Sequence, residues 1–450
     1  MIQPRRVMLA LLMLAVVFSS CAPAVPATPV PSAEPIQSLA PTLEPTPDIA
    51  AVPVESPASR PPEEEFDVNA NQMAATNGMG LELLQRLSQA AGPGTNLFIS
   101  PVSVALALGI AANGASGETH EAMLETLHLT GWDENAMNEA LAGLGQALNR
   151  GDLGVELAIA NSLWLREGLP FRQSYLDAID AYYAAHVSSL DFESVDAPDT
   201  INRWVAEQTR DRITEIVTPP IDPQAILFLI NAVYFKGDWL EPFDVALTRE
   251  LPFARADGTS VQAPLMSRYD SYSYVKLLTY QAVRLPYAGD RLSMIVVVPA
   301  PGVGIDDWVA GLDARGWAGI AGAMTRKDGN VILPRFTLAF EALLNGPLSD
   351  MGMGMAMSPE TAGFTRIHKL DQPTWIDQVR HKSFVEVNEK GTEAAAVTSM
   401  ALRALAAAPE EPFSFVADRP FVYAIQDDTT GAVLFIGVMR DPLQTRASVG

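Results

Sequence analysis

The sequence predicts a single α+β domain in which helices pack around large, mostly antiparallel β-sheets. The chain has 450 residues, of which 48% are hydrophobic, and this is enough to bury a large core. Helix-like patterns concentrate in the first half and strand-like patterns in the second, without the regular alternation of a parallel α/β fold. No repeat or low-complexity segment interrupts residues 67–443, so we predict one domain there and a C-terminal tail at 444–450.

The individual elements follow from the period of the apolar residues. Patterns with a helical period predict helices at 73–91, 102–112, 117–127, 134–148, 200–208, 305–312 and 342–349. Alternating or continuous apolar runs predict strands at 156–165, 225–235, 262–266, 282–285, 292–298, 331–340, 383–387, 421–426 and 433–439.

The first 21 residues resemble a bacterial export signal. Arg5 and Arg6 precede an apolar run at 7–18, which is too short to span a bilayer comfortably and fits a signal peptide. Small residues then lead to Cys21, as in a lipoprotein cleavage box, although Phe18 departs from the aliphatic residue usual there. We predict an exported protein that is anchored at the bacterial cell surface, and hence to the membrane, through a lipid on Cys21. The alternative is an extracellular protein cleaved near Ser20.

Residues 22–66 form a proline-rich tether. They hold twelve prolines among small and polar residues, and such a composition cannot bury a core. We predict a disordered, extended spacer with a reach on the order of 100 Å. Its place after a lipidated cysteine would hold the domain away from a membrane surface.

Charge and residue types exclude several classes of function. The net charge is −23, of which −4 lies in residues 1–66 and −19 in the remainder, so nucleic acid is not expected as a partner. Cys21 is the only cysteine, which rules out a disulfide within the chain. The five histidines have no zinc-binding spacing, and no nucleophile elbow or phosphate loop occurs. We therefore predict no catalytic residues, no metal and no cofactor.

The most informative stretch is the alanine-rich run at 389–403, which follows a strand-like segment at 383–388. Within residues 392–403, one face at period two is uncharged and mostly small, while the other carries both charges, Glu393 and Arg403. The uncharged face consists of Thr392, Ala394, Ala396, Thr398, Met400 and Leu402. Small residues suit a strand that slides into a sheet packed on a core, but alanine also favours a helix or linker. The run alone leaves both interpretations open.

Several separate motifs decide between them. They lie at 96–103, 113–119, 231–239, 242–243, 333–336, 381–382, 389–394, 418–421 and 435–437. In this order and spacing they strongly resemble the serpin family over about residues 68–442. The resemblance implies a serpin fold with an exposed reactive-centre loop.

The resemblance also implies a mechanism. A target serine protease acylates the loop, the cleaved loop inserts as a new strand into the central sheet, and the protease remains trapped as a covalent acyl complex. The chain itself is then not an enzyme and acts as a monomer. The alternative is a serpin-fold binding or structural protein that has lost inhibition.

The residue types in the hinge of the loop distinguish inhibitory from non-inhibitory serpins. Its residues are Glu389, Gly391, Thr392, Ala394, Ala396 and Thr398. A charge at position 392 would have to be buried on insertion, at a cost of several kcal/mol without a partner. Thr392 is uncharged and the small residues continue inward, so the pattern resembles that of inhibitory serpins.

The reactive bond follows from the family's spacing, counted from Glu389. That count gives Leu405, so we predict cleavage between Leu405 and Ala406, while a shift of one residue would give Ala404 or Ala406 as the residue before the bond. An apolar residue there suits chymotrypsin-like, elastase-like or subtilisin-like proteases. Arg403 would suit a trypsin-like protease, but it lies two residues early and would shorten the inserted strand.

Four further positions are implied by the family motifs as a sheet-opening cluster. Ser103, Asn231 and His381 match the polar group beneath the central sheet, where its strands part. Their hydroxyl, amide and imidazole groups suit a hydrogen-bonded network. Trp239 matches the aromatic residue at the top of the sheet, where the loop first enters. All four also fit ordinary core positions.

Overall fold

The computed structural model describes residues 70–148, 154–183, 185–221, 225–370, 372–391 and 411–450. The predicted signal peptide and tether lie outside the described residues. So do the predicted site residues Cys21, Thr392, Ala394, Ala396, Thr398, Leu405 and Ala406.

Helices and strands are both abundant in the described residues. The helices are α1 (Ala70–Ala90), α2 (Pro101–Gly114), α3 (Gly117–Thr126), α4 (Glu134–Leu148), α5 (Gln173–Tyr183), α6 (Ala197–Gln208), α7 (Ile305–Ala310), α8 (Ala314–Ala323) and α9 (Asn345–Asp350). The strands are β1 (Leu97–Ile99), β2 (Val155–Arg166), β3 (His186–Leu190), β4 (Leu227–Gly237), β5 (Arg249–Ala254), β6 (Ser260–Lys276), β7 (Tyr280–Pro286), β8 (Leu292–Pro299), β9 (Thr325–Pro334), β10 (Phe336–Leu343), β11 (Arg380–Val387), β12 (Phe413–Val416), β13 (Phe421–Asp427), β14 (Val433–Met439) and β15 (Arg446–Val449).

The strands form two large sheets, which confirms the α+β prediction. A nine-stranded sheet has the order β1-β14-β13-β8-β7-β6-β9-β12, and β5 pairs with β6 beside this path. A six-stranded sheet has the order β15-β10-β11-β4-β2-β3. Most pairs are antiparallel, but β4 with β11 is parallel, and this pair lies at the centre of the six-stranded sheet.

The continuous apolar runs become the central strands. Every residue of β8, β13 and β14 is buried, as expected for strands covered on both faces. Helix α2 is also buried at every position and packs against β4 and β14. Ser100 begins this helix, because its hydroxyl oxygen accepts a hydrogen bond from the Ser103 backbone nitrogen at 3.3 Å.

Several predicted elements differ in extent, and the strand predicted at 262–266 is only part of β6. The strand predicted at 331–340 is two strands, because β9 ends at Pro334 and β10 begins at Phe336 in the other sheet. Proline has no backbone donor for a ladder, and the next backbone N–H, that of Arg335, donates to the Pro264 carbonyl at 2.8 Å. The helix predicted at 342–349 begins only at Asn345, because β10 continues through Leu343.

Strand β15 was not predicted from the sequence. This strand lies in the segment assigned to a C-terminal tail and pairs in parallel with residues 339–342 of β10. It covers the edge of the six-stranded sheet, which would otherwise present unpaired backbone groups. Within the part of the chain that is described, no helix has the length and apolar character needed to cross a membrane.

Candidate functional site

The ladder between the two central parallel strands of the six-stranded sheet, β4 and β11, is shorter than either strand. The ladder between β4 and β11 runs from Ile230 opposite Arg380 to Phe235 opposite Val385. Both strands continue beyond this ladder, β4 by residues at each end and β11 to Val387. Six residue pairs therefore join β4 to β11, and residues 227–229 and 236–237 of β4 have no partner on β11.

The chain that leaves β11 is fastened to the turn after β4. The indole nitrogen of Trp239 donates to the Asn388 carbonyl at 2.8 Å, and its backbone nitrogen donates to the Lys390 carbonyl at 3.2 Å. The Phe243 backbone nitrogen donates to the Glu389 carbonyl at 2.7 Å. The Trp239 ring also stacks on Tyr287 with centroids 4.7 Å apart, and this packing fixes the orientation of the indole that binds Asn388.

The Glu389 side chain is the buried charge of this hinge. Only 4% of the residue is exposed. The Thr248 hydroxyl donates to the carboxylate at 2.7 Å, and the Arg335 guanidinium lies 3.4 Å from the same oxygen. A buried carboxylate is tolerated only with such partners, so Glu389 ties the start of the hinge to two other segments.

Gly391 is the last described residue before the loop. Its φ is +83°, a backbone conformation that favours glycine. A Cβ at this position would overlap the backbone of Asp238 and Trp239. Gly391 also forms an isolated bridge with Asn388, so the backbone of the hinge folds back on itself at this point.

The predicted residues Ser103, Asn231 and His381 meet beneath the sheet. The Asn231 amide nitrogen donates to the Ser103 carbonyl at 3.0 Å and also contacts the Ser103 hydroxyl. The His381 Nδ1 donates to the Asn231 side-chain oxygen at 3.0 Å. Trp239 does not belong to this group, because it lies at the hinge.

Asn161 is a fourth member that the sequence analysis did not find. Asn161, Asn231 and His381 are directly opposite one another on β2, β4 and β11, so they form one row across three strands. The Asn231 amide nitrogen donates to the Asn161 side-chain oxygen at 2.7 Å. The available signal was an asparagine in the middle of an apolar strand, where it needs a partner.

His381 is neutral in this row. The backbone N–H of Ser100 donates to its Nε2 at 3.3 Å, so the ring proton resides on Nδ1. Complete burial lowers the pKa of His381 from 6.5 to about 3.

Because this pKa is lower in the folded chain, His381 makes stability fall with decreasing pH. Below pH 6.5 the unfolded chain takes up a proton that the folded chain does not bind until about pH 3. In that window His381 alone should cost on the order of 1.4 kcal/mol of stability per pH unit. We expect the melting temperature of His381→Gln to fall less steeply between pH 6.5 and 4.5 than that of the wild type. Equal slopes would rule out this role.

Comparison with known proteins gives a consistent family assignment. The family model for the serpins (serine protease inhibitors) matches residues 74–442. An uncharacterized serpin-like protein of Thermococcus kodakarensis is 35% identical over 82% of this chain and 85% of its own length. The human leukocyte elastase inhibitor is 31% identical over 82% of this chain and 99% of its own length.

A solved structure agrees with these sequence matches. The crystal structure of the thermophilic serpin tengpin in its native state superposes with a TM-score of 0.76 at 28% identity. That comparison covers 84% of this chain and 96% of tengpin. Strand β15 lies beyond residue 442, where the family match ends.

Proposed function

Because the chain belongs to the serpin family, we propose that it inhibits a serine endopeptidase through insertion of its cleaved loop between β4 and β11. The observation that carries this proposal is the hinge, which is fastened beside a parallel ladder that stops at residues 235 and 385. The inhibitory function named for two relatives, the leukocyte elastase inhibitors, supports the same activity.

The protease supplies the catalytic groups for cleavage of the loop. Its serine oxygen attacks the carbonyl carbon of Leu405, the bond to Ala406 breaks, and the proton that the serine loses passes to the new amino terminus. An ester then joins the protease to Leu405. About twelve inserted residues at ~3.3 Å each would carry this ester roughly 40 Å along the sheet.

The row of Asn161, Asn231 and His381 stabilises the closed sheet. When β4 and β11 part, the hydrogen bond between His381 and Asn231 must break, since it crosses the opening pair. Asn231 can keep its bond to Asn161, because β2 lies on the same side of the opening as β4. The inserted strand then pairs with both edges, and its backbone hydrogen bonds replace the ladder that was opened.

The target is a protease with an apolar specificity pocket, since Leu405 is the residue offered to it. Chymotrypsin-like, elastase-like and subtilisin-like enzymes have such pockets. Export followed by lipidation of Cys21 would place this activity on a tether of about 45 residues at the bacterial cell surface. The mass of the mature N-terminal peptide distinguishes a lipidated Cys21 from simple cleavage near Ser20.

The proposed inhibition is tested by incubating the full chain with chymotrypsin and with elastase. We expect a band on a denaturing gel at the summed mass of protease and inhibitor. We also expect the melting temperature of the cleaved chain to exceed that of the intact chain, because insertion releases strain stored in the native sheet. Cleavage in the loop without a covalent band or a higher melting temperature would instead indicate a non-inhibitory serpin-fold protein.

A further inference from the structure

The C-terminal strand β15 forms one wall of a cleft on the outer face of the six-stranded sheet. The cleft has a volume of about 620 Å³, which is within the usual range of small-molecule sites. Its floor consists of β10 and β11, and its opposite wall is segment 212–215, which follows α6. Because the family match ends at residue 442, this wall lies outside the part of the chain that the serpin family model covers.

Strand register places an arginine on each side of a small residue in the floor of this cleft. Ala339 on β10 lies opposite Arg446 on β15 and opposite Phe384 on β11, so the three residues form one row. The Arg212 guanidinium lies over the Phe384 ring, 5.3 Å from its centroid. Arg446 and Phe384 are two strands apart, or roughly 10 Å. The two arginines, which both line the cleft, therefore flank the alanine.

The Arg446 side chain is available to a ligand. It is exposed, and it makes no hydrogen bond, ion pair or ring contact with any residue that the structure describes. Two exposed hydroxyl groups, those of Thr214 and Ser448, also line the cleft and can donate hydrogen bonds.

The cleft is locally cationic, although the chain has a net charge of −23. Lys382 adds a third cation to the two flanking arginines. The Glu341 carboxylate is shared between Lys382 at 2.9 Å and Arg380 at 3.1 Å, so its charge is already balanced. The other carboxylate at the cleft, that of Glu215, is exposed to water, and Lys382 donates to the Glu215 backbone carbonyl at 2.5 Å. Four cationic side chains therefore face two carboxylates.

This combination of groups suits an oxyanion. Guanidinium groups present paired N–H donors that match the oxygens of a phosphate or a carboxylate, and they bind these groups more strongly than neutral donors do. An anion between Arg212 and Arg446 would accept hydrogen bonds from both, with Thr214 and Ser448 as further donors. Ala339 leaves room for it, since a methyl group is the only side chain between the two arginines.

We propose that this cleft binds a small multivalent oxyanion, of which phosphate is the simplest example, and that the bound anion stabilises the closed sheet. The second part rests on the proposed function, because it concerns the opening between β4 and β11. The first part does not depend on inhibition.

The anion would join two halves of the sheet that separate on insertion. Segment 212–215 belongs with β4, because Ile213 packs in the same cluster as Ala232 of β4 and Trp164 of β2. Arg446 belongs with β11, because β15 pairs with β10 and β10 pairs with β11. An anion held by both arginines therefore binds the closed sheet better than the open one, and this difference in affinity favours the closed state.

The test measures binding of inorganic phosphate and pyrophosphate to the full chain by titration calorimetry, with chloride keeping the ionic strength constant. We expect the wild type to bind, and the affinity of Arg446→Ala to be lower by about tenfold or more. The melting temperature of Arg446→Ala without phosphate should equal that of the wild type, because the side chain has no partner in the described part of the chain.

Arg326→Ala is the matched control, since it removes an exposed arginine from β9 in the other sheet and changes the net charge equally. Its affinity for both anions should equal that of the wild type. Equal affinities for the wild type and Arg446→Ala, or an absence of binding to the wild type, would overturn the proposal.

The effect on the sheet is measured as the ratio of covalent complex to cleaved product with chymotrypsin. We expect phosphate to lower this ratio severalfold for the wild type and Arg326→Ala, and to leave it unchanged for Arg446→Ala. Binding without a change in the ratio would overturn the stabilisation of the closed sheet. A chain that binds phosphate but never forms a covalent complex would contradict the proposed inhibition and leave the oxyanion site supported.

Discussion

Replacing Thr392 by arginine should convert the inhibitor into an ordinary substrate. Thr392 directly follows Gly391, which lies against the backbone of Trp239 at the top of the gap. Its side chain would thus be the first to enter between β4 and β11. A guanidinium that enters this gap without a partner costs several kcal/mol, because the sheet is packed on the core.

The expected effect is large because insertion competes with release of the protease. A rise of about 3 kcal/mol in the barrier to insertion slows it by about two factors of ten, while hydrolysis of the ester continues. We expect the ratio of covalent complex to cleaved product to fall about a hundredfold. Denaturing gels at equal protease concentration measure this ratio directly.

The neighbouring residue provides a matched control. The period-two pattern of the sequence assigns Glu393 to the opposite face from Thr392, so we expect Glu393→Arg to change charge without placing it inside the sheet. This variant should trap protease nearly as well as the wild type. If Thr392→Arg and Glu393→Arg trapped protease equally well, the proposed direction of insertion would be incorrect.

How much the sequence could predict depends on the range of the interactions involved. The runs at 292–298, 421–426 and 433–439 agree with β8, β13 and β14 within one residue, because complete burial leaves an unmistakable apolar signal. Strand β15 has the sequence Arg-Ala-Ser-Val, which carries no such signal. It is a strand because the edge of β10 offers it backbone partners, and a local pattern does not contain that information.

The candidate site shows the same division. Ser103, Asn231 and His381 could be found because each lies in a recognisable motif, and the structure brings their side chains together. The sequence marks Asn161 as a polar residue in an apolar strand, but it does not show which residue Asn161 contacts, because that depends on the register between β2 and β4. The same holds for Ser100, which fixes the His381 tautomer through a backbone group. Register between strands is set by tertiary packing, which single residues do not reveal.

Replacing Leu405 by arginine should change which protease is inhibited. The substitution offers a cation to the specificity pocket, which an apolar pocket binds poorly and a trypsin-like pocket binds well. The length of chain between the hinge and the reactive bond stays the same, so trapping should persist. We expect inhibition of elastase and chymotrypsin to slow at least about a hundredfold and inhibition of trypsin to increase by a similar factor.

The wild type already contains an arginine two residues earlier, and this supplies the decisive comparison. Trypsin can cleave wild-type chain after Arg403, but the inserted strand is then shorter by two residues, or roughly 7 Å, so trapping should be poor. The C-terminal fragment should begin at Ala406 from Leu405→Arg and at Ala404 from wild-type chain treated with trypsin. Leu405→Met, which keeps an apolar side chain, should retain inhibition of chymotrypsin. Efficient trapping of trypsin by the wild type, with a fragment beginning at Ala404, would move the reactive bond to Arg403.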